Sequence, residues 1–157
     1  MPIRKTDKGW FWGSKGPFDT KAKALAVGRA AYAAGYEESA MQVCDFILCL
    51  LHSVTNTHIL HWQTNSFSEH MALGEFYNEM QDLVDELVEA YQGKYGIIEG
   101  FTNDFEVASN PLEYLVSLSD EVKQYRAAFP QDSELQNLID EIAALIDSTV
   151  YKLRFLK

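Results

Sequence analysis

From residue 37 onward, apolar side chains recur at steps of three and four. Val43, Ile47, Leu50 and Val54 form one such seam, and His61 continues it. A second runs from about Ser68 to Gln92 through Leu73, Phe76, Met80, Leu83, Leu87 and Tyr91, with Gly93 as its stop. Asn110-Pro111-Leu112-Glu113 opens a third: asparagine can cap, proline suits the first turn, and a glutamate follows at the capping-box distance. Its stripe is Leu112, Leu115, Leu118, Val122, Tyr125 and Phe129, and Pro130 ends it. Ser133-Glu134-Leu135-Gln136 has the same capping spacing, and Leu135, Leu138, Ile142, Leu145, Thr149, Leu153 and Leu156 carry a fourth stripe to the C-terminus. No alternating strand pattern competes, so residues 37–157 predict an all-α body of four helices.

Connection lengths predict the order of packing. A few residues around Gln63–Phe67 join the first two helices, and Pro130–Asp132 join the last two, which makes each pair an antiparallel hairpin. Between the pairs lies GKYGIIEGFTNDFEVASN, long and apolar enough to pack along the bundle. One long crossover between two hairpins is the ferritin-like four-helix arrangement. Residues 1–36 differ in kind. Trp10, Phe11, Trp12 and Phe18 sit among three glycines and a proline, which predicts a short hairpin or hooked loop, followed by an alanine-rich helix over about 20–34 closed by Gly35. The aromatics read as a clip folded onto the bundle or as a docking module for a partner protein surface.

Charge separates the two regions. The net charge is −10, yet residues 1–35 hold seven basic side chains against two acidic ones, while residues 36–157 hold six basic against 21 acidic. So acidic a body repels nucleic acid, leaving only the front segment as a contact through stacked aromatics, and its few lysines make no strong phosphate track. No apolar run is expected to reach the roughly 20 residues of a membrane helix, and MPIRKTDKGWFWG has no signal-like apolar stretch. Cys44 and Cys49 point in different directions on a helix, so neither a disulfide nor a two-thiol metal site is expected, and the setting is a reducing cytoplasm, the protein's own or a host's. Phosphate-binding loops, serine-nucleophile elbows and the paired ExxH signature of bundle-interior di-iron enzymes do not occur.

All four histidines fall within nineteen positions: His52, His58, His61 and His70. His61-Trp62 near the end of the first helix, His70 opening the second, and Asp85 and Glu89 four apart further along resemble the metal-binding hairpin of Dps-type mini-ferritins. The likeness covers residues 40–157, including the closing LIDEIAALIDSTVYKLRFLK. It implies iron as cofactor, weak ferroxidase activity, and His61, His70, Asp85 and Glu89 as ligands. His58, one turn before His61, could supplement the site, and His52 reads as structural. Two departures stand out. The segment between His61 and His70 is shorter than the family's, and Gly74 stands where the family often has an acid, with Glu75 one step out of register.

Helix geometry adds a condition. If Leu87 faces inward, Asp85 and Glu89 lie about 200° round the helix and face outward. They can oppose His61 only across a two-fold homodimer, as the resemblance implies. The plainer reading makes Asp82, Asp85, Glu86 and Glu89 a solvated acidic face and the histidines hydrogen-bonded structural residues. The front segment WFWGSKGPFDTKAKALAVGRAAYAAGY, and the run from His61 to Gly96, are similar to segments of tailed-phage proteins. That resemblance implies a phage origin and says little about activity. Together with the split in charge, the front module motivates a second function, a non-catalytic virion or assembly protein docking through Trp10, Phe11, Trp12 and Phe18.

Overall fold

A computed structural model describes residues 3–6, 8–12, 15–24, 26–27, 38–102 and 105–156. The chain divides into two compact units, Met1–Ala40 and Met41–Lys157.

The first unit contains a three-stranded antiparallel sheet in the order β1 (Ile3–Thr6), β2 (Gly9–Trp12), β3 (Lys15–Phe18). This is more β-structure than the hairpin or hooked loop expected from sequence. Register pairs Lys5 with Trp10 and Trp10 with Phe18, and it shifts between Trp10 and Trp12. Gly9, at φ 131°, starts β2, and a Cβ there would meet the Phe18 carbonyl at 2.9 Å. Residues 21–24 and 26–27 are helical, while the remainder of the helix expected over 20–34 lies outside the described residues.

Four packed helices make up the second region: α1 (Glu38–Gln63), α2 (Phe67–Tyr95), α3 (Pro111–Ala128) and α4 (Ser133–Phe155). Asn110 caps α3 as predicted, its side chain accepting from the Glu113 N–H at 3.1 Å. Two termini differ from expectation. Gly93 lies within α2, which ends at Gly96, because Gly96 takes the positive φ of 97°. The cap of α4 is Asp132 rather than Ser133, and Gln136 donates to the Pro130 carbonyl at 3.0 Å instead of reaching back as a capping-box partner.

Ion pairs fix helix directions. Lys94, near the end of α2, reaches Asp132 and Glu134 at the start of α4, and Lys152 near the end of α4 reaches Glu75 near the start of α2. These two helices therefore run antiparallel. Arg126 near the end of α3 binds Gln136 and Asp140 early in α4, so α3 and α4 are antiparallel too. On α1, Phe46 stacks on Tyr125 (centroids 5.3 Å) and meets Phe129 edge-on at 5.5 Å, while Asn56 reaches residues 106 and 108 just before α3. Thus α1 and α3 are also opposed.

The core gathers Phe46, Ile47, Leu50, Phe76, Met80, Leu87, Leu115, Leu118, Leu135, Ile139 and Ile142, all at most 2% exposed. Burying each such side chain is worth about 1.5–3 kcal/mol. Val43–Gln63 is long and apolar enough by composition to cross a membrane, at a mean hydropathy of 1.4, a length the sequence reading had not credited. Half of it is buried inside the protein. Its buried hydroxyls stay satisfied by its own turns: Ser53 donates to the Leu50 carbonyl and Thr57 to the Ser53 carbonyl, both at 2.7 Å.

Candidate functional site

A tight turn sets the histidine geometry. Residues 64–66 connect α1 to α2, with the Thr64 N–H bonded to the Leu60 carbonyl and the Ser66 N–H to the Thr64 hydroxyl, both at 3.1 Å. Ser66, with extended backbone (φ −95°, ψ 123°), caps α2 by accepting from the Glu69 N–H. So short a connection brings the last turn of α1 against the first of α2. The two imidazoles of His61 and His70 stack with centroids 3.6 Å apart and planes 22° from parallel.

Each ring also binds the other's backbone. His61 Nδ1–H donates to the His70 carbonyl at 2.8 Å, and His70 Nδ1–H donates to the His61 carbonyl at 3.0 Å. A carbonyl oxygen only accepts, so both Nδ1 atoms must carry the proton. In the neutral rings each Nε2 is then a free lone pair with a fixed direction. This is the state in which an outer partner orients a histidine for a metal. Because the lone pairs lie in nearly parallel planes, the rings do not converge on one ion as a chelate. Each offers one nitrogen.

Around this clasp lies an aromatic group that sequence reading missed in part. His58 stacks on Tyr77 (4.1 Å, 21°) and packs beside Trp62 (4.3 Å), while Tyr77 meets His61 edge-on at 5.4 Å. Trp62 remains 69% exposed. Gly74 now has a role: a Cβ there would lie 3.3 Å from His61 Cε1 and 3.4 Å from Nδ1. Glycine makes room for the ring, and Glu75 turns away to Lys152. Tyr77 carried no sequence signal beyond its nearness to His70, whereas Gly74 stood out in the sequence as a departure whose reason only the His61 ring explains.

Asp85 and Glu89 are exposed on α2, fifteen and nineteen residues beyond His70. At 1.5 Å per residue, the nearer acid stands about 22 Å along the helix from His70. The structure thus brings His61, His70 and His58 together but leaves both acids elsewhere on the same chain. No group of three metal-ligating side chains occurs among the described residues. His52 lies apart from the cluster, edge-on to Phe105 at 5.1 Å. Of the docking aromatics, Trp10 and Phe18 are half-buried, and Trp10 has the Lys5 and Lys21 ammonium groups 5.7 and 5.6 Å from its ring. The side chains of Phe11 and Trp12 lie outside the described residues.

Several packed helices with a reciprocal histidine clasp at one inter-helix turn define the class: an all-α protein with two oriented imidazole donors. The chain belongs to a family of unknown function (DUF5856), whose model matches residues 61–153, from His61 to the last turns of α4. No curated protein and no solved structure matches it.

Proposed function

We propose that this protein is a ferritin-like bundle that binds divalent iron between copies of itself. His61 and His70 of one chain would each supply one imidazole nitrogen, to separate ions, and Asp85 and Glu89 of another would supply carboxylate oxygen. The observation that carries this reading is the pair of Nδ1–H bonds, which leaves both Nε2 atoms as oriented lone pairs. Neutral imidazole with hard carboxylate oxygen is a donor set suited to iron. Helix directions support the bundle assignment, since α1 opposes α3, both α2 and α3 oppose α4, and one long connection spans residues 96–110. Ferrous iron would supply an oxidisable centre there, and His61, His70, Asp85 and Glu89 would hold it while the two Nδ1–H bonds keep the rings in one tautomer.

Anaerobic ferrous titration of the full chain, with its mass in solution measured in parallel, tests the reading. The expected result is a dimer or larger assembly whose iron binding falls at least tenfold in the Asp85→Asn, Glu89→Gln double variant. Both acids are exposed, so this variant keeps the fold. A strictly monomeric chain, or unchanged binding in the variant, overturns it.

A second reading rests on the first unit, where two lysine ammonium groups lie near the Trp10 ring, Lys5 at 5.7 Å and Lys21 at 5.6 Å. We infer that this surface docks the protein onto an acidic protein partner, as a virion or assembly component would require. Removal of residues 1–35 should abolish co-purification with particles while the helical circular dichroism signal persists. Retained association refutes the docking role.

A further inference from the structure

Between α1, the 96–110 connection and α3 lies an open cavity of about 670 Å³, away from the histidine clasp. That volume falls in the range of small-ligand pockets. Its lining combines three carboxylates, Asp45, Glu106 and Glu121, with the rings of Phe105, Tyr114 and Tyr125 and the His52 imidazole that meets Phe105 edge-on. No lysine or arginine lines it among the described residues. Among the described residues none of the three acids is ion-paired.

Glu121 shows the character of the site. Its carboxylate accepts from the Cys49 thiol at 3.0 Å and from the Ser117 hydroxyl at 3.4 Å. Both donors are neutral, so the negative charge stays uncompensated. One wall is fixed in advance. Buried Asn56 donates through Nδ2 to the Glu106 carbonyl at 3.1 Å and accepts from the Ala108 N–H at 2.8 Å, which pins the connection that carries Phe105 and Glu106.

An anionic ligand would meet three like charges here, and an uncharged apolar one would desolvate them without return. Ring faces and carboxylates both attract ammonium groups. We propose that this cavity binds an aliphatic polyamine, with ammonium groups paired to Asp45, Glu106 and Glu121 and the methylene chain lying against Phe105, Tyr114 and Tyr125. Titration behaviour agrees with a negative field. Burial, then the hydrogen bond and charge of Glu121, pushes the Cys49 thiol well above its ordinary value. Tyr114 is pushed up to about 12 by burial first, against a hydrogen bond from Asn56 that lowers it, with the negative charge of Glu121 adding.

Isothermal titration of the full chain with spermidine tests this, with 1,8-octanediol as an uncharged chain and Glu86→Gln as a variant of an exposed α2 acid outside the cavity. The expected result is saturable one-to-one binding of spermidine, none of the diol, and affinity reduced roughly tenfold by Glu121→Gln or by Phe105→Ala. Glu106→Gln provides a third exposed position should either variant fold poorly. Absence of saturable binding overturns the proposal. So does equal weakening by Glu86→Gln, which would mark diffuse attraction to an acidic protein, or binding of the diol.

Discussion

Asn56 offers a sharp perturbation, because one side chain 2% exposed holds two backbone groups of a connection fifty residues away. Replacement by alanine removes both hydrogen bonds, each worth about 1 kcal/mol net. The released Glu106 carbonyl and Ala108 N–H belong to exposed and half-buried residues, so they can turn to water and add little further penalty. The void left by the amide adds somewhat more, for a total loss of about 2–3 kcal/mol. Asn56→Asp is more discriminating. One oxygen still accepts from the Ala108 N–H, but the other faces the Glu106 carbonyl, lone pair against lone pair. Burial raises the introduced acid's folded pKa above the unfolded value of about 3.9. Its stability is then fully present below that value and lost as pH rises through the folded pKa.

At pH 7 the aspartate variant should therefore be less stable than the alanine variant, and it should approach wild type near pH 3.5, where a protonated carboxyl can donate to Glu106. Urea denaturation at both pH values gives the comparison, with wild type run at each because other carboxylates titrate. Hydrogen exchange should quicken across residues 96–110 in both variants at pH 7. An aspartate variant as stable as wild type at pH 7, or unchanged exchange in that connection, would refute the clamp.

Three further outcomes follow from the same contacts. In a double-mutant cycle of His61→Ala and His70→Ala, the coupling energy isolates the ring stack, since each imidazole binds the other residue's backbone, which alanine retains; about 0.5–1.5 kcal/mol is expected by urea denaturation, and zero coupling refutes the stack. Gly93→Ala, in helix with open space around it, should stabilise by about 0.5–1 kcal/mol, while Gly74→Ala should gain less or lose, because its Cβ crowds His61 at 3.3 Å; equal gains would refute the crowding. Hydrogen bonds from Lys94 and then Tyr95 hold the Asp132 carboxyl below its usual range, so its stabilisation is present above the unfolded carboxylate value and lost as pH falls through the folded one. Asp132→Asn should flatten the acid limb of thermal melts below about pH 4, and an unaltered limb would count against the network.

Helix existence was legible because three- and four-residue steps in α2, α3 and α4 follow directly from which side chains the core buries. Seam width was not. Phe46 lies beside the Val43–Ile47–Leu50 line, and Ile139 and Ile146 beside the Leu135–Ile142–Leu145 line, yet all three are fully buried. Helix α4 packs against both α2 and α3, so it buries a wider face than a single stripe shows. Gly93 and Gly96 look alike in sequence, and only the positive φ at Gly96 marks the stop. Asn56 gave no signal, since its partners are backbone groups that any residue would supply. The spacing of His70, Asp85 and Glu89 could be read, but spacing along one helix also places even the nearer acid about 22 Å from His70.

The short connection and Gly74 explain one another at the hairpin. A short connection forces the histidines face to face, and a ring so placed needs glycine rather than an acid at position 74. The same rings then have two separable duties, because the stabilising bonds use Nδ1 and a metal would use Nε2. Asparagine can place an amide N–H near the position of Nδ1 while offering nothing at Nε2. His70→Asn should therefore keep most of the stability lost in His70→Ala, yet bind ferrous iron no better than His70→Ala does. If asparagine restored iron binding as well as stability, the imidazole nitrogen would have no part in holding the ion, and the clasp would be a fastening of the helix pair alone.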